Sequence, residues 1–204
     1  MGTIESMHGT LPESPANISH QHRCIFIHVP KAAGTSIKRV FDMQDQGHLP
    51  WSYYALCYPE LWRQYTSFAA VRNPWDRLVS VYHFARKLAD DHDVVSSKSF
   101  EECVTLLHED RDRLKNVVWH TQTRWVAAPK SLGGKVMVDC ILRFEHIEHD
   151  FHELLRDLGV PRRGLPRINT TDRLRDYRQY YNDRTRKLVE QVYGADIEMF
   201  GYSF

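Results

Sequence analysis

Two short segments of this sequence carry residue types that bind anions, each placed where a helix would begin. In the first, Pro30-Lys31-Ala32-Ala33-Gly34-Thr35-Ser36, small side chains let backbone N–H groups close round an anion. The Lys31 ammonium and the hydroxyls of Thr35 and Ser36 assist. The second, Val71-Arg72-Asn73-Pro74-Trp75-Asp76-Arg77-Leu78-Val79-Ser80-Val81-Tyr82, offers Arg72 and, two helical turns on, Ser80, a cation and a hydroxyl able to hold a second phosphate. The first segment is not a Walker A loop. Its lysine precedes the glycine and no earlier glycine opens the turn, an order unsuited to a triphosphate with bound magnesium.

Both segments need the same scaffold: a strand that ends at the loop and a helix that leaves it. Cys24-Ile25-Phe26-Ile27-His28-Val29 is a β-branched and aromatic run halted by Pro30, the pattern of a buried parallel strand. Ile37, Val40 and Phe41 then fall at i, i+3 and i+4, which predicts a helix with one buried face. Ser67-Phe68-Ala69-Ala70-Val71 repeats the strand, Asn73 and Pro74 supply a cap and a first turn, and Trp75, Leu78, Val79 and Tyr82 continue at helical spacing. Phe100, Cys103, Val104 and Leu107 predict another helix. Phe151, Leu154, Leu155 and Leu158 predict one ended by Gly159 and Pro161, and Asn182-Asp183 starts a last one. Val136–Leu142 is the remaining strand candidate. The expected fold is a single-domain, P-loop-like, three-layer α/β fold, with a central parallel sheet flanked by helices and ligands beyond the strands' carboxyl ends.

Together, in this order, the two loops resemble the donor-binding motifs of PAPS-dependent sulfotransferases (PAPS being 3′-phosphoadenosine 5′-phosphosulfate), in particular the carbohydrate-type sulfotransferase family 2. The likeness continues through Arg143-Phe144-Glu145-His146-Ile147, Leu165-Pro166-Arg167-Ile168-Asn169, Tyr177-Arg178-Gln179-Tyr180-Tyr181 and Phe200-Gly201-Tyr202-Ser203-Phe204. It implies that Lys31, Ala32, Ala33, Gly34, Thr35 and Ser36 hold the donor's 5′-phosphosulfate and that Arg72 and Ser80 hold its 3′-phosphate. Thr170-Thr171-Asp172-Arg173 is similar to a loop closing over the donor in heparan-type relatives, which brings in Thr171 and Arg173. The R-K-G-x-x-G-D-W-K segment of the cytosolic sulfotransferases is absent, which argues against small phenols and steroids as acceptors. The acceptor expected by analogy is a carbohydrate hydroxyl.

Sulfuryl transfer needs a cation on the bridging oxygen, the role of Lys31, and a base for the acceptor hydroxyl. Among twelve histidines, His48 is the candidate, because it lies between the two donor motifs where the resembling family often carries a catalytic histidine. His28 is expected in the core, inside the first strand, and Glu145 is a second base candidate with capping as its plainer role. His146, His149, Asp150 and His152 have the composition of metal ligands but lie along an amphipathic helix without H-E-x-x-H order, so no metal is expected. Trp51, Tyr53, Tyr54 and Trp62 are core aromatics or a stacking surface for a sugar or adenine. Two readings from other classes stand beside this one: a nucleoside or small-molecule kinase, and a non-catalytic nucleotide-binding relative.

Composition narrows the partners. With 204 residues, 42% of them hydrophobic, there is enough chain for one core. The 27 basic and 26 acidic side chains nearly cancel, which excludes the polybasic field that nucleic-acid binding requires. Cys24, Cys57, Cys103 and Cys140 show neither C-x-x-C nor metal spacing and point to a reducing, cytoplasmic setting. No apolar run is long enough to cross a membrane. Residues 1–22 read as a disordered tail and 23–204 as the domain; oligomeric state is not legible.

Overall fold

A computed structural model describes residues 17–44, 47–90, 93–166, 168 and 173–204. Among these residues, four strands form one sheet in the order β1-β2-β3-β4: β1 Ile18–Ser19, β2 Cys24–Ile27, β3 Thr66–Val71 and β4 Cys140–Arg143. β1 pairs antiparallel with β2, whereas β2, β3 and β4 run parallel, with Ile27 opposite Ala69 and Val71 opposite Arg143. The helices among the described residues are α1 Gly34–Val40, α2 Trp51–Cys57, α3 Pro59–Gln64, α4 Pro74–Leu88, α5 Phe100–Glu109, α6 Thr123–Val126, α7 Ile147–Asp157, α8 Asp183–Val192 and α9 Gly194–Phe200.

Every residue of β2 is buried, as are Ser67 to Val71 of β3. This accounts for their unbroken apolar sequences, since a central parallel strand has no wet face. Phe26, Phe68, Phe41 and Phe151 form a run of ring contacts that joins β2 and β3 to α1 and α7. A second apolar cluster lies among α4, α5 and α8, centred on Trp75, Leu78, Phe100, Trp119, Val189 and Tyr193. The mixed α/β class expected from sequence is therefore present, with a mostly parallel sheet.

Element ends follow local chemistry. Asn73 caps α4, its side chain accepting the Trp75 N–H at 3.0 Å with Pro74 in the first turn. Ser99 and Glu102 form a capping box on α5, and Asn182 caps α8. β4 lies within and just past the expected 136–142 run, with Val136 reduced to an isolated bridge to Ala127. Order also begins ahead of residue 23, where sequence alone starts the domain. Ile18 pairs with Ile25, and Asn17 is buried, its amide donating to the Tyr54 hydroxyl at 3.2 Å. Residues 1–16 lie outside the described residues.

Candidate functional site

The carboxyl ends of β2, β3 and β4 all open onto one region, so the loops at 28–33, 72–73 and 144–146 are neighbours. Lys31 and Ala33 both adopt left-handed backbone, φ 65° and 66°, a conformation that costs a non-glycine residue on the order of 1 kcal/mol or more. Left-handed residues at alternate positions turn successive N–H groups toward one side, an anion-binding concavity. Gly34 is required for a different reason. A Cβ there would stand 2.1 Å from Cδ2 and Nε2 of His28, closer than any non-bonded contact allows.

Three cations converge on this concavity. Arg72, 6% exposed, directs Nε and Nη2 to Asp76 at 2.7 Å and Nη1 to the Lys31 carbonyl at 3.4 Å, and its guanidinium stacks on Phe144 at 3.9 Å. Arg173 approaches the same carboxylate from its other oxygen at 2.6 Å. Its Nη1 is buried with no hydrogen-bond partner among the described residues. Lys31 extends over the Phe84 ring, Nζ 4.1 Å from the centroid. Asp76 thus bridges Arg72 and Arg173, and both arginines act on the Lys31 ammonium, a crowding of positive charge that a bound anion would relieve. Burial, reinforced by the charges of Arg72, Arg173 and Arg77, lowers the Lys31 pKa to about 8.

Ser80 belongs to this group by helical geometry. Asp76, Ser80 and Phe84 are spaced four residues apart on α4 and form one stripe, with the arginine pair at one end and the Lys31 ammonium at the other. His83, beside Phe84, pairs with the Tyr180 hydroxyl at 2.8 Å, and burial and Arg173 lower its pKa.

The frame under these residues is polar and buried. Arg77 is fully buried and donates to the carbonyls of Pro30, Val118 and His120 at 2.9, 2.8 and 3.0 Å. It fixes the residue before Lys31. Gln122, also fully buried, accepts the Arg72 N–H and donates to the Arg72 carbonyl, both at 2.8 Å. Its own N–H goes to Asp196 at 2.7 Å. Glu145 accepts the Asn73 N–H at 2.6 Å with one oxygen and the Tyr202 hydroxyl at 3.0 Å with the other, so it braces the second loop. Asn73 in turn donates to the Ser203 carbonyl at 2.9 Å.

His48 reaches the first loop by way of His28. Its Nδ1 lies 2.8 Å from the His28 carbonyl, and the two rings are 4.2 Å apart, centroid to centroid. A carbonyl can only accept, so Nδ1 carries the hydrogen and the neutral ring has its lone pair on Nε2. His28 is buried as expected, yet it follows the end of β2 and faces Gly34 and His48.

Most residues singled out from sequence are therefore collected at one place: Lys31, Ala32, Ala33, Gly34, Thr35 and Ser36 on the first loop, Arg72, Ser80 and Arg173 round Asp76 and α4, and His48 behind His28. Thr171 lies outside the described residues. Asp150 accepts the Arg143 N–H at 2.7 Å, and among the described residues no group of three or more His, Cys, Asp or Glu is placed to hold a metal ion. Trp51 donates to the Ala127 carbonyl, and Tyr54 is fully buried. Asp76, Arg77, Gln122 and Asp196 are parts of this site that the sequence does not single out. Asp76-Arg77, a charged pair between Trp75 and Leu78-Val79, was a legible signal; Gln122 and Asp196 carry none. No described helix is long and apolar enough to cross a membrane.

Compared with known proteins, residues 14–203 match the model of the family described as the sulfotransferase family. A search of curated proteins finds no match.

Proposed function

Since a match of that extent means the chain belongs to the sulfotransferase family, and is thereby a transferase, we propose that its donor is PAPS and its acceptor a hydroxyl on a carbohydrate or related metabolite. The observation that carries the donor reading is the direct junction of the two loops: Arg72 Nη1 donates to the Lys31 carbonyl while Arg72 and Arg173 share Asp76. A nucleotide with phosphate at both ends of its ribose spans such a pair of sites. The unpartnered Nη1 of Arg173 fits it as well. In this reading the carboxyl-end loop is P-loop-like in function although its residue order is not that of a triphosphate loop.

The chemistry asked of these residues is an in-line displacement dominated by positioning and charge stabilisation. His48 Nε2 takes the acceptor proton as the acceptor oxygen bonds to sulfur. The bond between sulfur and the bridging oxygen breaks, and its electron pair stays on the departing adenosine 3′,5′-bisphosphate. Lys31 stabilises that oxygen as negative charge grows on it. Arg72, Ser80 and Arg173 anchor the 3′-phosphate and spend their binding energy on orientation. Thr171, close in sequence to Arg173, is assigned to the same end of the donor. No step uses a metal.

His48→Ala is expected to leave adenosine 3′,5′-bisphosphate affinity within about threefold and to lower transfer by roughly 100- to 10,000-fold, the usual worth of a positioned base. Calorimetry and transfer of labelled sulfate from PAPS to an acceptor screen measure the two. A variant with full transfer would remove His48 from the mechanism.

A pH dependence follows from Lys31. Below a pKa of about 8 the lysine is already charged in the free chain, so bisphosphate affinity should be flat with respect to this group. Above that value binding must take up a proton, and affinity should fall by up to about tenfold per pH unit. A profile that stays flat to pH 10 in calorimetric titrations contradicts the assignment of Lys31 to the anion.

A further inference from the structure

We propose that His28 is a positioning residue of the transfer site, its imidazole forming a wall shared by the donor loop on one side and His48 on the other. The inference rests on the donor and base assignments made above.

The wall is visible from both sides. The φ of Gly34 is not in the left-handed region, so its backbone does not call for glycine. What calls for it is the imidazole, whose Cδ2 and Nε2 both occupy the space a Cβ would need. On the other side the His48 ring stands 4.2 Å away, tilted by 48°. Behind it the Phe26 ring lies nearly parallel at 5.6 Å, and the residue as a whole is 7% exposed. A ring so enclosed has little room to swing away, so a displacement imposed at residue 34 is passed on to His48.

His28 acts on His48 twice. Its carbonyl takes the Nδ1 hydrogen and so selects the tautomer with a basic Nε2. Its imidazole sets where that ring stands relative to the loop that carries Lys31. A base displaced by about 1 Å from its productive position loses on the order of 100-fold in rate even when binding is intact. A histidine that merely fills the core would affect folding and would leave no such mark on the rate.

The experiment is a double-substitution cycle on the full chain with His28→Ala, Gly34→Ala and both together. It reads adenosine 3′,5′-bisphosphate affinity by calorimetry, thermal midpoint, and transfer from labelled PAPS to a pool of mono- and disaccharides at saturating donor. His28→Ala is expected to keep bisphosphate affinity within about threefold and to lower transfer at least tenfold, a split that lost packing alone would not give. Gly34→Ala is expected to lose affinity, and adding His28→Ala is expected to restore at least tenfold of it, because the clashing ring is gone; residues in contact depart from additivity in this way. Additive losses, or wild-type transfer by His28→Ala, overturn the inference. If His28→Ala fails to fold, His28→Asn, whose flat amide is smaller than imidazole, takes its place in the same cycle. The pool is first screened with the wild-type chain, and the cycle is read on a saccharide that accepts. A wild-type chain that binds no bisphosphate overturns the donor reading itself, and this inference with it.

Discussion

Lys31→Ala is expected to lower sulfuryl transfer by at least about 100-fold, roughly 3 kcal/mol of transition-state stabilisation, the typical cost of removing one preorganised donor from a site of developing charge. The loss should appear in the rate at saturating donor, beyond whatever bisphosphate affinity the ammonium contributes, because charge on the bridging oxygen appears as the bond breaks. Lys31 is suited to this by its surroundings. It is partly buried, flanked by Arg72, Arg173 and Arg77, and seated on Phe84, so its ammonium is poorly screened by water and interacts strongly with an anion. Lys31→Arg should recover little, since a planar fork cannot occupy the position of a compact ammonium. Rapid-mixing measurement of a single turnover checks the prediction; a variant whose rate falls less than about threefold refutes it.

Arg72→Ala should act on binding instead. The guanidinium has a fixed orientation, held by Asp76, the Lys31 carbonyl and the face of Phe144, so no rotamer entropy remains to be lost when a phosphate arrives. Charge-assisted contacts of this kind contribute about 1.5–3 kcal/mol each, and adenosine 3′,5′-bisphosphate affinity is expected to fall on the order of 100-fold. The loss should be selective: affinity for adenosine 5′-phosphate, which lacks the 3′ group, should change far less. Equal losses for the two nucleotides would mean that Arg72 supports the fold and not the 3′-phosphate. Arg72→Lys should behave nearly like alanine, because one ammonium cannot face Asp76, stack on Phe144 and reach the phosphate together.

The parts of this architecture that sequence revealed are those whose cause is local. β2, β3 and α4 were legible because Cys24–Ile27 and Ser67–Val71 are short apolar runs ended by polar loops, and because Asn73-Pro74 is a helix start whose mechanism lies within two residues. The two anion loops were legible for the same reason, and so was the burial of His28. What His28 touches was not legible, since Gly34 and His48 reach it only through the fold. The grip of Gln122 on Arg72 spans 50 residues and that of Asp196 on Gln122 spans 74, and neither leaves a periodicity or spacing to read. Glu145 reads from sequence as a base candidate with capping as its plainer role, and only the fold names its partners, the Asn73 N–H and the Tyr202 hydroxyl.

The bond from Asn73 to the Ser203 carbonyl closes a span of 130 residues, and the support of Arg72 by Gln122 depends on a carboxylate at position 196. Contacts of such separation form late, because the closure entropy of the intervening chain must be met before they can be made. Nucleotide affinity should accordingly emerge in the final phase of refolding, after the secondary structure of the first hundred residues is already in place. An excised strand–loop–helix unit bearing Lys31 would keep its sequence signature and have no recognition of its own.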